Sequence, residues 1–352
     1  MAALALAGSC TFSGADESQV LVSLTDEVIV PRYRELAERM DHLDSSLVSL
    51  CARPSDGALK EARAAWRAAR EPLMRSEAMW FGPMMDRRSL RLVDWSEVDP
   101  ERIEAMLAER ESIDAETVRD SLSSTQRGLG AVEYVLFDPD AARLLSDPGS
   151  PRCAYLVAVG EVARVEVDAV LAEWDVDRSG RAAFRDFFTG RSASSMLSGT
   201  AVAELVRTQV FLARSLADMR LATALGLRGG GPDPSAVPGG LGHVGLSDLR
   251  SELLGMRDMY EGSGQGDGLG ISDLIVPLSE ETDRRMRQGF EGALAAIDAI
   301  DGPLRVAVIE RPEQVRVAYD RLAELRMTLA TEVVSLLGIS VGFSDTDGDS
   351  LR

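Results

Sequence analysis

Histidine is almost missing from this chain of 352 residues: there are two, His42 and His243. That nearly excludes a multi-histidine metal centre and leaves two candidate bases for Ser-His or Cys-His catalysis, both more ordinary as surface or structural residues. Aromatic residues make up 5% of the chain, so no stacking surface for sugars or bases is evident. Positive charge is also short, with 38 basic against 57 acidic residues and a net charge of −19. A phosphate-binding face needs a Lys/Arg surplus, so nucleic acid is disfavoured, as is direct adhesion to anionic lipid headgroups. An acidic surface keeps the chain soluble and draws cations or cationic partners weakly. No stretch reaches the ~20 apolar residues of a spanning helix. No Walker loop or dinucleotide fingerprint is found, and neither Ser123-Ser124 nor Ser194-Ser195 has a nucleophile elbow or lysine partner.

What is present is helical patterning on a normal globular apolar share of 45%. Leu156, Val159, Ala163, Val167, Val170 and Trp174 recur at three-to-four spacing, as do Val202, Leu205, Leu212, Leu216 and Met219. Leu322, Leu325, Leu329, Val333 and Leu336 form a third such stripe. Pro31, Pro277 and Pro312 stand near the beginnings of long helical patterns, where a missing N–H costs little. Alternating β patterns are scarce, and the predicted class is all-α. The Gly/Pro-rich stretch 226–245 divides the chain into a helical bundle over 20–225 and a second over 246–352. A further polar, glycine-rich stretch covers 261–270. Ile29-Val30-Pro31 recurs as Ile275-Val276-Pro277, with Glu35, Arg39 and Met40 matched by Glu281, Arg285 and Met286 at the same offset. The echo predicts two related bundles, each opened by a long helix and followed by a second (59–80 and 312–337). A cleft between such halves is a natural ligand site.

Residues 1–19 predict a location. The short apolar run Met1 to Ala7, then Gly8-Ser9-Cys10 and the polar stretch Thr11 to Gln19, reads as the end of an export signal with a lipobox. Cys10 would carry the lipid, and Thr11 after it suits the outer membrane of a diderm bacterium. The positively charged opening of such a signal is missing, which leaves the true start open. With Cys10 acylated, Cys51 and Cys153 remain in an oxidising compartment and are predicted to pair; two separately buried thiols are the alternative. The bridge would close a loop of about 100 residues and contribute ~4–5 kcal/mol at best.

Asp175, Asp177 and Ser179, followed by Gly180 and by Asp186 eleven positions after Asp175, have the oxygen spacing of a calcium loop. Asp186 is shorter than the glutamate usual at the last place, and Asp-Ser-Gly runs also serve as ordinary helix-ending turns. Asp345, Asp347 and Asp349 look similar but lack the glycine and the final ligand.

Arg127-Gly128-Leu129-Gly130-Ala131-Val132-Glu133-Tyr134 resembles the G-x-H-x-x-E signature of the imelysin-like family, with Gly130 where the histidine stands. The similarity extends through Val30-Pro31-Arg32-Tyr33, Ala65-Trp66 to Glu77, Trp80 to Pro83, Arg152 to Leu156, and the terminal Leu337 to Asp349. It implies a mainly helical fold of two pseudo-twofold bundles. It also implies kinship with proteins described as metallopeptidases and as iron-regulated envelope proteins, some linked to iron uptake. On a helix, residues three apart share a face, so a histidine at 130 and Glu133 would have shared one metal. Glu133 is the position that survives, with Glu77, Tyr134 and Arg127 as further candidates for the same cleft. A hydrolytic role needs a metal that activates water and keeps an open coordination position, and a lone Glu133 is a poor site for one.

The resulting expectation is a periplasm-facing lipoprotein, attached to the membrane through lipid alone. It binds a ligand or an envelope iron-uptake partner in the inter-bundle cleft. Two alternatives stand beside it: a metallopeptidase with iron or zinc held by Glu133 and other carboxylates, and an envelope scaffold stabilised by calcium.

Overall fold

Helix α1 runs unbroken over 17–52. Asp16 and Gln19 form its capping box, and a π-helical turn, Leu24–Ile29, precedes Pro31. Pro31 donates no N–H to the preceding turn, and the wider turn absorbs that irregularity without ending the helix. Helix α2 (Asp56–Ser76) starts where the Ser55 hydroxyl accepts the Ala58 N–H at 3.1 Å. Its stripe of Leu59, Ala62, Trp66, Ala69 and Leu73 is buried. Gly128, at φ +81°, leads into the short helix α3 (Leu129–Leu136); the Val93 carbonyl lies 2.8 Å from where a Cβ would stand. Ser150 caps helix α4 (Pro151–Asp175), with Pro151 in the first turn. The computed structural model describes residues 16–95, 97–110, 113–177, 182–237, 239–262 and 268–340. Cys10, Ser179 and Asp345, Asp347 and Asp349 lie outside the described residues.

Helices α1, α2 and α4 form the first bundle, with α3 filled in against α2 and α4. Several aromatic rings cluster at one end of it. The Trp174 ring meets Phe81 edge-on at 5.6 Å and Phe184 at 4.8 Å, and Tyr33 stacks at 6.1 Å. Cys51 at the end of α1 and Cys153 in the first turn of α4 are joined by a disulfide, Cα to Cα 5.5 Å, across 102 residues of sequence. The second bundle contains α5 (198–224, with a π-helical turn at Ser215–Leu221), α6 (Gly245–Glu261), α7 (Glu280–Asp298) and α8 (312–336, with a π-helical turn at Leu329–Val333). Among the described residues there is no strand, only an isolated bridge between Asp94 and Gly128. The fold is all-α.

The chain divides in space at a different place from its divide in composition. Helix α5 precedes the Gly/Pro-rich stretch, yet it packs on α8 and on the N-terminal turns of α1. The echo falls on equivalent hairpins, α1 with α2 and α7 with α8, and Met40 and Met286 are both fully buried. The two prolines differ: Pro31 lies inside a continuous helix, whereas Pro277 lies in the turn before Ser279 caps α7. Helix α6 lies along α2 and joins the bundles. Gly255 sits so close to the Arg75 carbonyl that a Cβ has no room there.

Candidate functional site

The seam between α2 and α6 is polar at its centre. Arg70 stands four residues after Trp66 on the buried stripe of α2 and is 3% exposed. Its Nη2 donates to Asp248 Oδ2 at 2.8 Å, its Nε to the same oxygen at 3.1 Å, and its Nη1 to Asp94 Oδ2 at 3.2 Å. The guanidinium also lies over the Trp66 ring, 5.4 Å from its centre. Burial opposes the charge on Arg70, but Asp248 and Asp94 outweigh it and hold the group above its ordinary value.

A second, half-buried arginine repeats the arrangement. Arg220, in the π-helical turn of α5, donates to Glu77 Oε2 at 3.0 Å and to Glu252 Oε1. Such wide turns recur at functional sites because they redirect side chains that a regular helix would point elsewhere. Burial pushes Glu252 well above the usual carboxyl range; Arg220 opposes this and the Glu77 charge adds to it. Glu77 is raised by the same burial, and Arg220 and a hydrogen bond with Glu252 oppose it. Glu252 is fully buried, and its Oε2 has no partner if the group is ionised. Arg220 holds both carboxyl groups, and two so placed cannot both ionise cheaply. A cavity of about 10 Å³, room for one water, lies beside Asp248 and Arg220 under Val237.

Glu133, on α3, completes the seam from the other side. Its Oε1 accepts the Gly242 N–H at 2.6 Å, across 109 residues of sequence. Burial raises its proton affinity, opposed by that N–H and by Arg70. Glu133 and Glu77 therefore belong to one neighbourhood, each within the field of Asp94. Arg127 and Tyr134 do not join them. The Arg127 guanidinium donates to the carbonyls of Arg91, Val118 and Arg119, tying the short helices Leu90–Val93 and Ala115–Ser121 together. The Tyr134 hydroxyl donates to Glu104 at 2.7 Å on a half-buried flank shared with Arg152.

The family model for imelysin, peptidase M75, matches residues 29–329. This chain belongs to the imelysin family. It is 25% identical over 350 residues to iron-regulated protein A of Synechococcus elongatus, covering 95% of this chain and 92% of that one. Among solved structures it is similar to a candidate iron-regulated protein A precursor from Parabacteroides distasonis, with a TM-score of 0.78, 20% identity, and 92% and 97% of the two chains covered. An imelysin-like protein from Psychrobacter arcticum matches with a TM-score of 0.73, 16% identity, and 93% and 97% coverage. The two structures share the fold.

The peptidase name of the imelysin family implies a catalytic metal, which needs a group of donor side chains. Among the described residues, no three His, Cys, Asp or Glu side chains are grouped to hold one. Position 130 turns to the loop before it: a Cβ on Gly130 would meet Val98 at 2.8 Å and the Trp95 carbonyl at 3.4 Å. The carboxylates of the seam are engaged by guanidiniums or, at Glu133, by a backbone N–H. These residues do not fit a catalytic metal. The calcium-loop positions are likewise engaged. Asp175 accepts from Arg34 at 2.9 Å and from Arg185 at 2.6 Å, and Asp177 accepts the Ala183 N–H at 2.7 Å. Asp186 lies in the first turn of the short helix Phe184–Phe188, and Ser179 is outside the described residues.

The sequence reading missed Arg70, Asp94, Arg220, Asp248 and Glu252. A signal existed for three of them. Arg70 interrupts an apolar stripe, and Asp248 and Glu252 are four apart on one face of α6, alternating with Leu249 and Leu253.

Proposed function

We propose that this imelysin-family chain is a binding protein of the cell envelope, without hydrolytic activity, that takes a ligand or partner in iron or metal acquisition at the seam between its bundles. The observation that carries the reading is Glu133: a buried carboxylate aimed across the seam at a backbone N–H, within the field of the Arg70–Asp248 pair. That is equipment for holding a polar group in place. Few, well-placed polar atoms in an apolar surround are what fixes a ligand's orientation. The relative named iron-regulated protein A supports the link to iron. The Cys51–Cys153 disulfide supports an oxidising compartment, because thiols are kept reduced in the cytosol. Among the described residues no helix is long and apolar enough to cross a membrane, which accords with attachment through lipid on Cys10.

The test is native purification without a tag, followed by elemental and small-molecule mass spectrometry of wild type and Glu133→Ala. A metal complex or organic ligand retained stoichiometrically by wild type and lost from the variant supports the reading. Equal retention by both removes Glu133 from the site. Peptide hydrolysis by wild type that Glu133→Gln abolishes would replace binding with catalysis.

A further inference from the structure

Glu133 faces a piece of the chain's own Gly/Pro-rich stretch, and three side chains there recognise a single residue, Gly242. The Gly242 N–H goes to Glu133 Oε1 at 2.6 Å, and the Gly242 carbonyl accepts from Arg67 Nε at 3.2 Å. The Trp66 indole lies against the Gly242 Cα so closely that a Cβ would overlap the ring. Two of the three are braced from behind: Trp66 Nε1 donates to the Leu129 carbonyl at 2.9 Å, and the Arg67 guanidinium stacks 4.7 Å from the Phe137 ring centre. An N–H, a carbonyl and the absence of a side chain are what the pocket reads, which together specify glycine within a peptide.

The turn does not need this contact to close, since the Val244 N–H already reaches the Gly239 carbonyl at 3.1 Å. One residue is inserted. Gly242 is buried, while Leu241 and His243 on either side are exposed. His243 holds φ at +58°, left-handed backbone that costs an L-residue roughly 1–2 kcal/mol.

We propose that Gly242 stands in for the ligand of the inter-bundle site, and that the external ligand is a glycine-bearing peptide segment that displaces the turn 239–244. The inference rests on the seam being a binding site and adds the class of molecule it takes. Displacement leaves Glu133, Arg67 and Trp66 to receive the incoming amide, with the Arg70–Asp248 pair behind Gly239 as a charged floor. A self-occupied site binds its ligand with an affinity lowered by the fraction of molecules whose turn is in place.

The probe is the blocked peptide acetyl-Gly-Leu-Gly-His-Val-amide, offered to the full, oxidised chain. Gly242→Val drives the turn out through its collision with Trp66. His243→Pro does so without adding bulk to the pocket, because proline cannot hold a positive φ. Each variant, with wild-type helix content by circular dichroism, is expected to be cleaved faster within 239–244. Each is also expected to bind the probe at least about ten-fold more tightly than wild type, in line with the closed fraction. Adding Glu133→Ala should abolish the gain, and a probe with valine at its central glycine should not bind. In wild type, which needs no variant to fold, excess probe should speed hydrogen exchange at 239–244. Unchanged exchange in wild type, or a released turn with no gain in affinity, overturns the proposal. Neither result affects whether wild type retains a ligand that Glu133→Ala loses, so the two readings fail separately.

Discussion

Arg220 reaches from the π-helical turn of α5 to Glu77, the residue that follows α2, and holds it at 3.0 Å while also pairing with fully buried Glu252. One guanidinium thus serves two carboxyl groups from opposite sides of the seam. Both carboxyls are held above their ordinary range, so the folded state binds protons that the unfolded chain would release.

The sign of the pH dependence follows. Stability from this pair is fully present below the unfolded carboxyl value, roughly 4.3, and is lost as pH rises through the folded-state values. Glu252→Gln keeps a hydrogen-bond donor and removes the titration. Denaturant unfolding between about pH 5 and 8 should show wild type losing stability relative to the variant, by at most roughly 1.4 kcal/mol per pH unit. Parallel curves for the two proteins would rule out a titration of Glu252 in this range.

Arg70 should be among the residues least tolerant of change. Its removal leaves Asp94 and Asp248 facing each other in the seam without a counter-charge. Breaking a buried pair in this way costs about 3–5 kcal/mol. Urea unfolding of Arg70→Met should show that loss. A loss within about 0.5 kcal/mol, as expected of a surface position, would mean that water already reaches the pair.

The disulfide spans 102 residues and pins the end of α1 to the start of α4. Reduction, or the paired change of Cys51 and Cys153 to serine, should lower stability by about 2–5 kcal/mol while leaving the helical spectrum in place below the new melting point. An unchanged melting temperature in excess reductant would show that packing alone fixes this corner.

On the lipoprotein proposal, changing Cys10 to serine should move the protein from the membrane fraction to the soluble fraction of the envelope, since the proposed anchor is lost. Wild-type membrane retention in that variant would reject the lipobox and send the search to a protein partner.

The helices were legible because their apolar stripes recur at a fixed period, and the disulfide because two cysteines were left over. The polar seam was not legible, for a physical reason. A charged residue on an amphipathic helix ordinarily marks the solvent face, and only a partner from elsewhere in the chain reverses that meaning. Arg70 and Asp248 are 178 residues apart, and Glu133 and Gly242 are 109 apart. Glu133 was found through its motif, but its partner, one of many glycines in a low-complexity stretch, carried no chemical label. Tyr134 and Arg127 follow from the same motif by adjacency. Tyr134, beside Glu133 on the helix, faces another way, toward Glu104, and Arg127 lies before the helix and reaches carbonyls of two other short helices.

The close contact of α6 with α2 has a consequence for what counts as a part of this molecule. Arg70 finds its counter-ion in Asp248, Arg75 in Asp258 and Glu77 in Arg220, each across the seam, and Gly255 meets the Arg75 carbonyl with no space between. Neither side carries a surface that water alone would complete. A nick among the glycines at 229–231 would leave one protein made of two chains, each acting as the other's missing solvent.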